Sequence, residues 1–160
     1  MKRILLTCNH AVLLLCASMY VGTGWSAVFF TFPVVPQLTP ANYYLQLVPP
    51  LQAAIPFFTN MTYVMIALSL VMIVSEWRTP LRWVPWVYLA LTIGAGLYTQ
   101  QLIFPVNNEM AKGITDPARL QVVLEQWKSL HVVRCAMWTL EWAVMTFWFG
   151  YWATRAREAA

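Results

Sequence analysis

Three residues with charged or titratable side chains, His131, Arg134 and Glu141, lie at helical spacing in the last apolar stretch of the chain. Residues three, four and seven positions apart share one face of a helix, and Trp127 and Trp138 belong to the same face. Such groups are costly in hydrocarbon and usually point into the interior of a helical bundle. This stripe is therefore the first candidate for a functional site.

His131 and Arg134 together fit one kind of chemistry. A histidine can act as a general base, and a fixed arginine can stabilise a developing anion. The pair therefore suits removal of a proton beside a carbonyl group. The structural alternative is that Arg134 extends to the membrane surface while His131 bonds an Asn side chain or a backbone carbonyl.

Further polar residues are predicted to converge on this pair, because the topology brings the ends of the apolar stretches together. Around the end of the third stretch these are Asn107, Asn108 and Glu109, together with either Gln100 or Gln101. The second stretch contributes Asn60 and Tyr63, and the first contributes Thr23 or Thr31. Glu109 and His131 could contribute to a metal site, but two ligands fall short of the three or four that zinc or iron takes. His10 lies at the opposite end of the first stretch, which argues against a haem held by two histidines. We therefore predict no metal ligands and no cofactor. A metal ion remains the alternative, because Glu109 and His131 are two possible ligands.

Glu141 stands near the middle of its stretch, where an unpaired carboxylate costs several kcal/mol. Its side chain leans toward Arg134, so an ion pair, direct or through water, is one expectation. A proton-exchanging carboxylate and a part of the substrate site are the others. Trp127 and Trp138 could likewise stack on a flat aromatic substrate or simply pack.

The composition predicts an integral membrane protein, because 60% of the residues are apolar and only 10% are charged. Four apolar stretches of about 20 residues, 8–32, 56–74, 85–104 and 130–152, are long enough to cross a bilayer as helices. We expect an all-α four-helix bundle and a single domain over residues 1–160. No basic run with interleaved aromatic residues indicates nucleic-acid binding.

The distribution of basic residues predicts the orientation. Cytoplasmic loops of membrane proteins collect Lys and Arg. One side of the predicted bundle carries Lys2, Arg3, Arg78, Arg82, Arg155 and Arg157, and the other carries Lys112, Arg119 and Lys128. We therefore expect both termini in the cytoplasm, in a bacterial inner membrane.

The connecting segments carry their own signals. We predict a short interfacial helix through Tyr43 and Tyr44, ended by Pro49-Pro50, with both tyrosines anchored at the lipid headgroups. Asp116 is predicted to cap a helix that begins at Pro117. That helix could run for about 36 residues, which would extend it beyond the bilayer on the outer side.

Several of these motifs occur together in one known pattern. The segment Phe-Pro-Val-Asn-Asn-Glu at 104–109, the Asp-Pro loop, and Trp127 followed by His131 and Arg134 resemble the anthrone oxygenase-like family of small four-span membrane proteins. The resemblance implies oxidation of an anthrone to an anthraquinone with dioxygen and no established cofactor. It implies that His131 removes the benzylic proton while Arg134 and Asn107 or Asn108 hold the enolate oxygen. Glu141 does not belong to that pattern.

We therefore predict a membrane oxidoreductase acting on a hydrophobic aromatic or quinone-like molecule. The expected catalytic residues are His131, Arg134 and Asn107. The expected substrate-binding residues are Asn108, Glu109, Trp127, Trp138, Gln101, Asn60 and Glu141. Two alternatives remain open: a proton-coupled carrier of hydrophobic cations that uses Glu141, and an accessory subunit of a membrane complex. A homo-oligomer is compatible with each.

Overall fold

Helices make up nearly all of the part of the chain that the computed structural model describes, which is residues 2–158, with side chains from residue 4 onward. No strand occurs within those residues. The side chains of Lys2 and Arg3, which entered the orientation argument, lie outside the described part. In chain order the helices are α1 (Lys2–Ser26), a π turn (Ala27–Thr31), a 3-10 turn (Phe32–Gln37), α2 (Tyr43–Glu76), α3 (Val84–Tyr98), a second π turn (Thr99–Ile103), α4 (Phe104–Ala111) and α5 (Pro117–Glu158).

Three helical runs among the described residues are long and apolar enough to cross a membrane, judged by length and composition. They are Ile4–Gln37, Tyr43–Glu76 and Val84–Ala111. Each exceeds the roughly 20 residues that a span needs, so the chain is assigned to the membrane proteins. The longest helix, α5, is not among the three, because the apolar part of α5 includes His131, Arg134 and Glu141.

Helix α5 begins where the sequence predicts. The side-chain oxygen of Asp116 accepts a hydrogen bond from the Ala118 N–H at 3.0 Å, and Pro117 is the first helical residue. The cap is therefore confirmed. The helix continues for 42 residues, somewhat further than expected, because no glycine or proline interrupts it before Gly150.

The predicted break at Pro49-Pro50 is wrong, because α2 runs without interruption from Tyr43 to Glu76 and contains Pro49, Pro50 and Pro56. Proline removes one helical hydrogen bond, but membrane helices tolerate it where neighbouring groups compensate. The start of α2 is also fixed from outside the helix. Tyr43 is 1% exposed, its hydroxyl donates to the Met110 carbonyl at 3.0 Å, and the same oxygen accepts from the Ile114 N–H. Tyr43 is thus a core residue rather than a headgroup anchor.

Two apolar cores hold the helices together. The larger core joins α1, α2, α3 and α5 through residues such as Leu13, Met65, Tyr88 and Met145. The smaller core lies at the end of the molecule where α4 packs, and it contains the 3-10 turn, the start of α2, α4 and the first turns of α5. We call this region the α4 end and the opposite region the distal end.

Candidate functional site

A cavity of about 450 Å³ lies between α1, α2, α3 and α5. Its volume falls in the range of pockets that bind small molecules. Apolar side chains line most of it, and every surrounding helix also contributes polar groups. The polar and titratable residues are Tyr20, Thr23, Thr31, Gln46, Thr59, Thr62, Tyr63, Thr92, Thr99, Gln100, Asn107, His131, Arg134 and Glu141.

The cavity is elongated along α5. Trp127, His131, Arg134, Trp138 and Glu141 all line it, so the predicted stripe faces one continuous space. The first and last of these residues are separated by about 21 Å along the helix axis, at 1.5 Å per residue. The lining residues of α5 are therefore spread over about that length.

Two π turns supply part of the wall. Ala27–Thr31 precedes Pro33, and Thr99–Ile103 precedes Pro105. Proline cannot donate the helical hydrogen bond to the residue four positions earlier, which favours such a local widening. Residues from both π turns line the cavity, Thr31 from the first and Gln100 from the second.

His131 and Arg134 are directly hydrogen bonded. Nη2 of Arg134 lies 2.6 Å from Nδ1 of His131, and Nε2 of His131 lies 3.4 Å from the Gly24 carbonyl oxygen. A guanidinium has only donors, so Nδ1 must accept and the imidazole must be neutral in this arrangement. The remaining ring proton then sits on Nε2 and points to Gly24.

Aromatic rings enclose this pair. His131 is 5% exposed and stacks on Trp127 with a ring separation of 5.4 Å. Phe32 and Trp138 present edges to the same imidazole at 5.6 Å and 6.2 Å. The guanidinium carbon of Arg134 lies 4.6 Å from the centre of the Trp138 ring. The positive charge is thus held by a ring face and an imidazole, and no carboxylate of residues 4–158 lies within ion-pair distance of it.

Gly24 permits this close packing of α1 against α5. A Cβ atom at this position would come within 2.7 Å of the Cys135 sulfur and 2.9 Å of a Trp138 ring carbon. Only a residue without a side chain leaves room for both neighbours. The Gly24 carbonyl can therefore approach His131.

Four of the cavity-lining residues each have a buried polar atom without a hydrogen-bond partner. These atoms are Asn107 Oδ1, Trp127 Nε1, Arg134 Nε and Glu141 Oε2. In the described part of the chain, the other two such atoms belong to Trp148 and Trp152 at the distal end. Burying a polar group without a partner costs about 1–3 kcal/mol, so such atoms are normally satisfied by water or a ligand. Their concentration around one cavity makes it the candidate binding site.

Glu141 is the most enclosed of these residues, with 1% of its surface exposed. The direct ion pair with Arg134 that the sequence suggested is absent. The ion pairs within the described residues are Glu109–Arg119 and Glu125–Lys128. Glu141 thus lines the cavity with a carboxyl group that no protein group binds.

The remaining predicted site residues lie apart from His131. Glu109 forms two hydrogen bonds with Arg119, at 2.6 and 2.8 Å, and these bonds raise the pKa of Arg119. Asn108 borders a small separate hollow of about 30 Å³. Gln101 and Asn60 have exposed side chains and do not line the main cavity. The structure therefore brings together Asn107, Gln100 and the α5 stripe, and leaves these four outside.

Tyr20 is a cavity residue that the sequence did not single out. Its ring packs 4.6 Å from Trp138, and its hydroxyl lies 2.7 Å from the Phe58 carbonyl and 2.6 Å from the Thr62 hydroxyl. One signal was present, since Tyr20 lies four residues before Gly24 and thus on the same face of α1. A tyrosine in an apolar stretch is more readily taken for an interfacial anchor.

No group of three or more His, Cys, Asp or Glu side chains within residues 4–158 comes together in a way that could hold a metal ion. The fold and cavity define the class: an all-α membrane protein with a cavity among its helices. Comparison with known proteins adds no relative, because no family model, no curated protein and no solved structure matches this chain.

Proposed function

We propose that the protein is an integral membrane oxygenase that oxidises a flat, hydrophobic, anthrone- or quinone-like molecule in the cavity. The observation that carries the proposal is the hydrogen-bonded His131–Arg134 pair in the wall of an aromatic cavity. A base next to a cation is the arrangement that proton removal beside a carbonyl requires. The likeness of Asn107, Trp127, His131 and Arg134 to the anthrone oxygenase-like pattern supports the same reading.

The proposal includes a four-span arrangement in a bacterial inner membrane. Helix α5 would cross the bilayer over about residues 130–152, with its three ionisable side chains turned to the cavity rather than to lipid. Arg155 and Arg157 in its last turn would then lie in the cytoplasm, together with Arg78 and Arg82. The α4 end would face outward.

Arg134 would control when His131 acts as a base. In the present arrangement the only lone pair of the imidazole accepts a hydrogen bond from Arg134. A substrate carbonyl oxygen that attracts the guanidinium would free Nδ1 for the benzylic proton. The same guanidinium would then stabilise the enolate, and the amide of Asn107, which lines the same cavity, would donate a second hydrogen bond.

Dioxygen is the proposed oxidant and co-substrate. Proton transfer to His131 leaves a carbanion stabilised as the enolate, and dioxygen bonds to its benzylic carbon. The resulting peroxide anion takes back that proton to become a hydroperoxide, which then loses water to form the second carbonyl. The substrate loses two hydrogens and gains one oxygen, while one dioxygen is consumed and one water is released.

A pair of matched variants tests this proposal. His131→Gln should lower anthrone-dependent dioxygen uptake by about 100-fold or more, because the base is lost. His10→Gln is the control, since His10 is also buried, at 3% exposure, and also packs against a tryptophan, Trp148, with the ring centres 4.4 Å apart. Purified protein in lipid nanodiscs would be assayed with an oxygen electrode, with uncatalysed anthrone oxidation subtracted. Equal uptake by both variants and the unaltered protein would refute the assignment of His131 as the base.

A further inference from the structure

The unpartnered cavity groups that α5 carries divide into two sets at different depths. Near His131 lie two free donors, Nε–H of Arg134 and Nε1–H of Trp127. Glu141 lies two helical turns from Arg134, about 10 Å further along the axis of α5. When the carboxyl group is ionised, this unpartnered oxygen can accept a hydrogen bond but has no proton to donate. The two sets therefore require complementary chemistry at two separate points.

The hydroxyl groups around Glu141 are committed to other partners. Tyr20 lines the same cavity as Glu141, and the buried Tyr88 precedes Thr92, another lining residue, by one helical turn. The Tyr20 hydroxyl donates to the Phe58 carbonyl at 2.7 Å, and the Tyr88 hydroxyl donates to the Leu13 carbonyl at 3.2 Å. Thr92, which lines the same cavity, donates to the Tyr88 carbonyl at 3.0 Å. The protein thus has neighbouring donors but directs none of them to Glu141.

The wall between the two sets is aromatic. Trp138 packs between Tyr20, at a ring separation of 4.6 Å, and Arg134. An occupant that reaches both sets must pass along these rings. Fused aromatic rings fit such a surface, because they are narrow in one dimension and make ring contacts along their length.

We infer that the cavity binds a molecule with two polar ends, an anionic or carbonyl oxygen for Arg134 and Trp127 and a hydroxyl group that donates to Glu141, joined by a flat apolar frame. This inference rests on the proposed function in taking the same cavity as the substrate site. It adds the substrate class: a polycyclic phenol or hydroxyquinone with oxygens at both ends, rather than an unsubstituted ring system.

Two probes that differ by one hydroxyl group test the inference. 2,6-Dihydroxyanthraquinone carries hydroxyls at opposite ends of a three-ring frame, and 2-hydroxyanthraquinone carries one. Equilibrium dialysis against the full chain in nanodiscs would give both Kd values, with protein-free nanodiscs correcting for partition into lipid. The dihydroxy probe should bind about tenfold more tightly, as expected for one added hydrogen bond to a buried acceptor.

Two variants test whether Glu141 causes the preference for the dihydroxy probe. Glu141→Leu should reduce the difference between the probes to less than about twofold, because leucine offers no acceptor. Glu141→Gln should leave an intermediate preference, because the amide oxygen of glutamine still accepts a hydrogen bond. This variant replaces Glu141→Leu in the test if the leucine variant does not fold. The control is Glu76→Gln, because Glu76 is a buried glutamate that does not line the cavity and it should keep the full preference.

Each outcome decides the inference. Equal affinities in the unaltered protein, or a tenfold preference that survives in Glu141→Leu, would overturn it. A carrier that uses Glu141 only for proton exchange would show equal affinities. Binding is measured without turnover, so a clear preference combined with unchanged oxygen uptake in His131→Gln would retain this inference and reject the proposed oxygenase.

Discussion

The two ends of the bundle use the same residue types in opposite ways. At the α4 end, His131 stacks on Trp127, and Glu141 lies deeper in the same cavity. At the distal end, His10 packs against Trp148, and Glu76 is also buried. A histidine, a tryptophan and a buried glutamate therefore do not by themselves define a site.

The two ends differ in the hydrogen-bond partners of these buried residues and in the empty space beside them. The Glu76 carboxylate accepts a hydrogen bond from the Thr79 hydroxyl at 2.7 Å, and the distal histidine lies 3.4 Å from the Ser75 hydroxyl. At the α4 end, Glu141 has no such partner, and the adjoining space could hold a small molecule. The comparison teaches that a buried polar residue becomes a candidate for binding when its neighbours bond elsewhere and a cavity remains beside it.

The largest effect is expected from removing the positive charge at the cavity. Arg134→Gln should lower kcat/KM for anthrone oxidation by about 100- to 1,000-fold, because the enolate loses its main stabilising group. Arg119→Gln is the matched control, since Arg119 forms an exposed ion pair with Glu109, and such pairs contribute little. Steady-state dioxygen uptake would be compared for the two variants. A similar loss of activity in both variants would show that the net charge of the protein, rather than a positive charge in the cavity, determines the rate.

A smaller effect is expected from separating α1 and α5. Gly24→Ala should destabilise the protein by about 1–3 kcal/mol, because the added methyl group would collide with Cys135 and Trp138. Gly22→Ala corrects for the higher helix propensity of alanine, since nothing lies within 4 Å of a Cβ atom there. Thermal unfolding in one detergent would give both Tm values. Equal Tm values would show that α1 and α5 are not held as closely as the packing indicates.

The smallest effect distinguishes the two buried glutamates. Glu141→Leu should leave stability unchanged or raise it by about 1 kcal/mol, because the substitution removes a carboxyl group that no protein group satisfies. Glu76→Leu should lower stability by about the same amount, because the Thr79 hydroxyl loses its carboxylate partner. The same unfolding assay applies. A clear loss of stability in Glu141→Leu would indicate that this carboxyl is structural, which would remove the contrast between the two ends.

Much of the fold follows from the sequence, because apolar stretches of span length predict helices and Asp116-Pro117 predicts a helix start. The prolines of α2 were misleading. Local rules treat Pro49-Pro50 as a helix end, whereas the start of α2 is fixed by hydrogen bonds of Tyr43 to residues about 70 positions away in the sequence. No local pattern contains that information.

The candidate site was predictable where one helix carries it. The stripe on α5 follows from helical spacing alone, and all five of its residues line the cavity. Glu109 was harder to place, because its partner Arg119 lies beyond a turn in which Gly113 adopts a φ of 86°. That turn sets how α4 and α5 meet, and glycine is the residue that adopts such a conformation readily.

The π turn at Thr99–Ile103 can also be viewed as one residue inserted into an otherwise regular helix. Deleting a single residue there would restore ordinary α-helical geometry, and because the wider turn absorbs the extra residue, α4 would keep nearly its present orientation. The change would be confined to the widened turn from which Thr99 and Gln100 line the cavity. The shape of that part of the wall thus depends on an insertion, and chains that lack it would share the surrounding residues without sharing the wall.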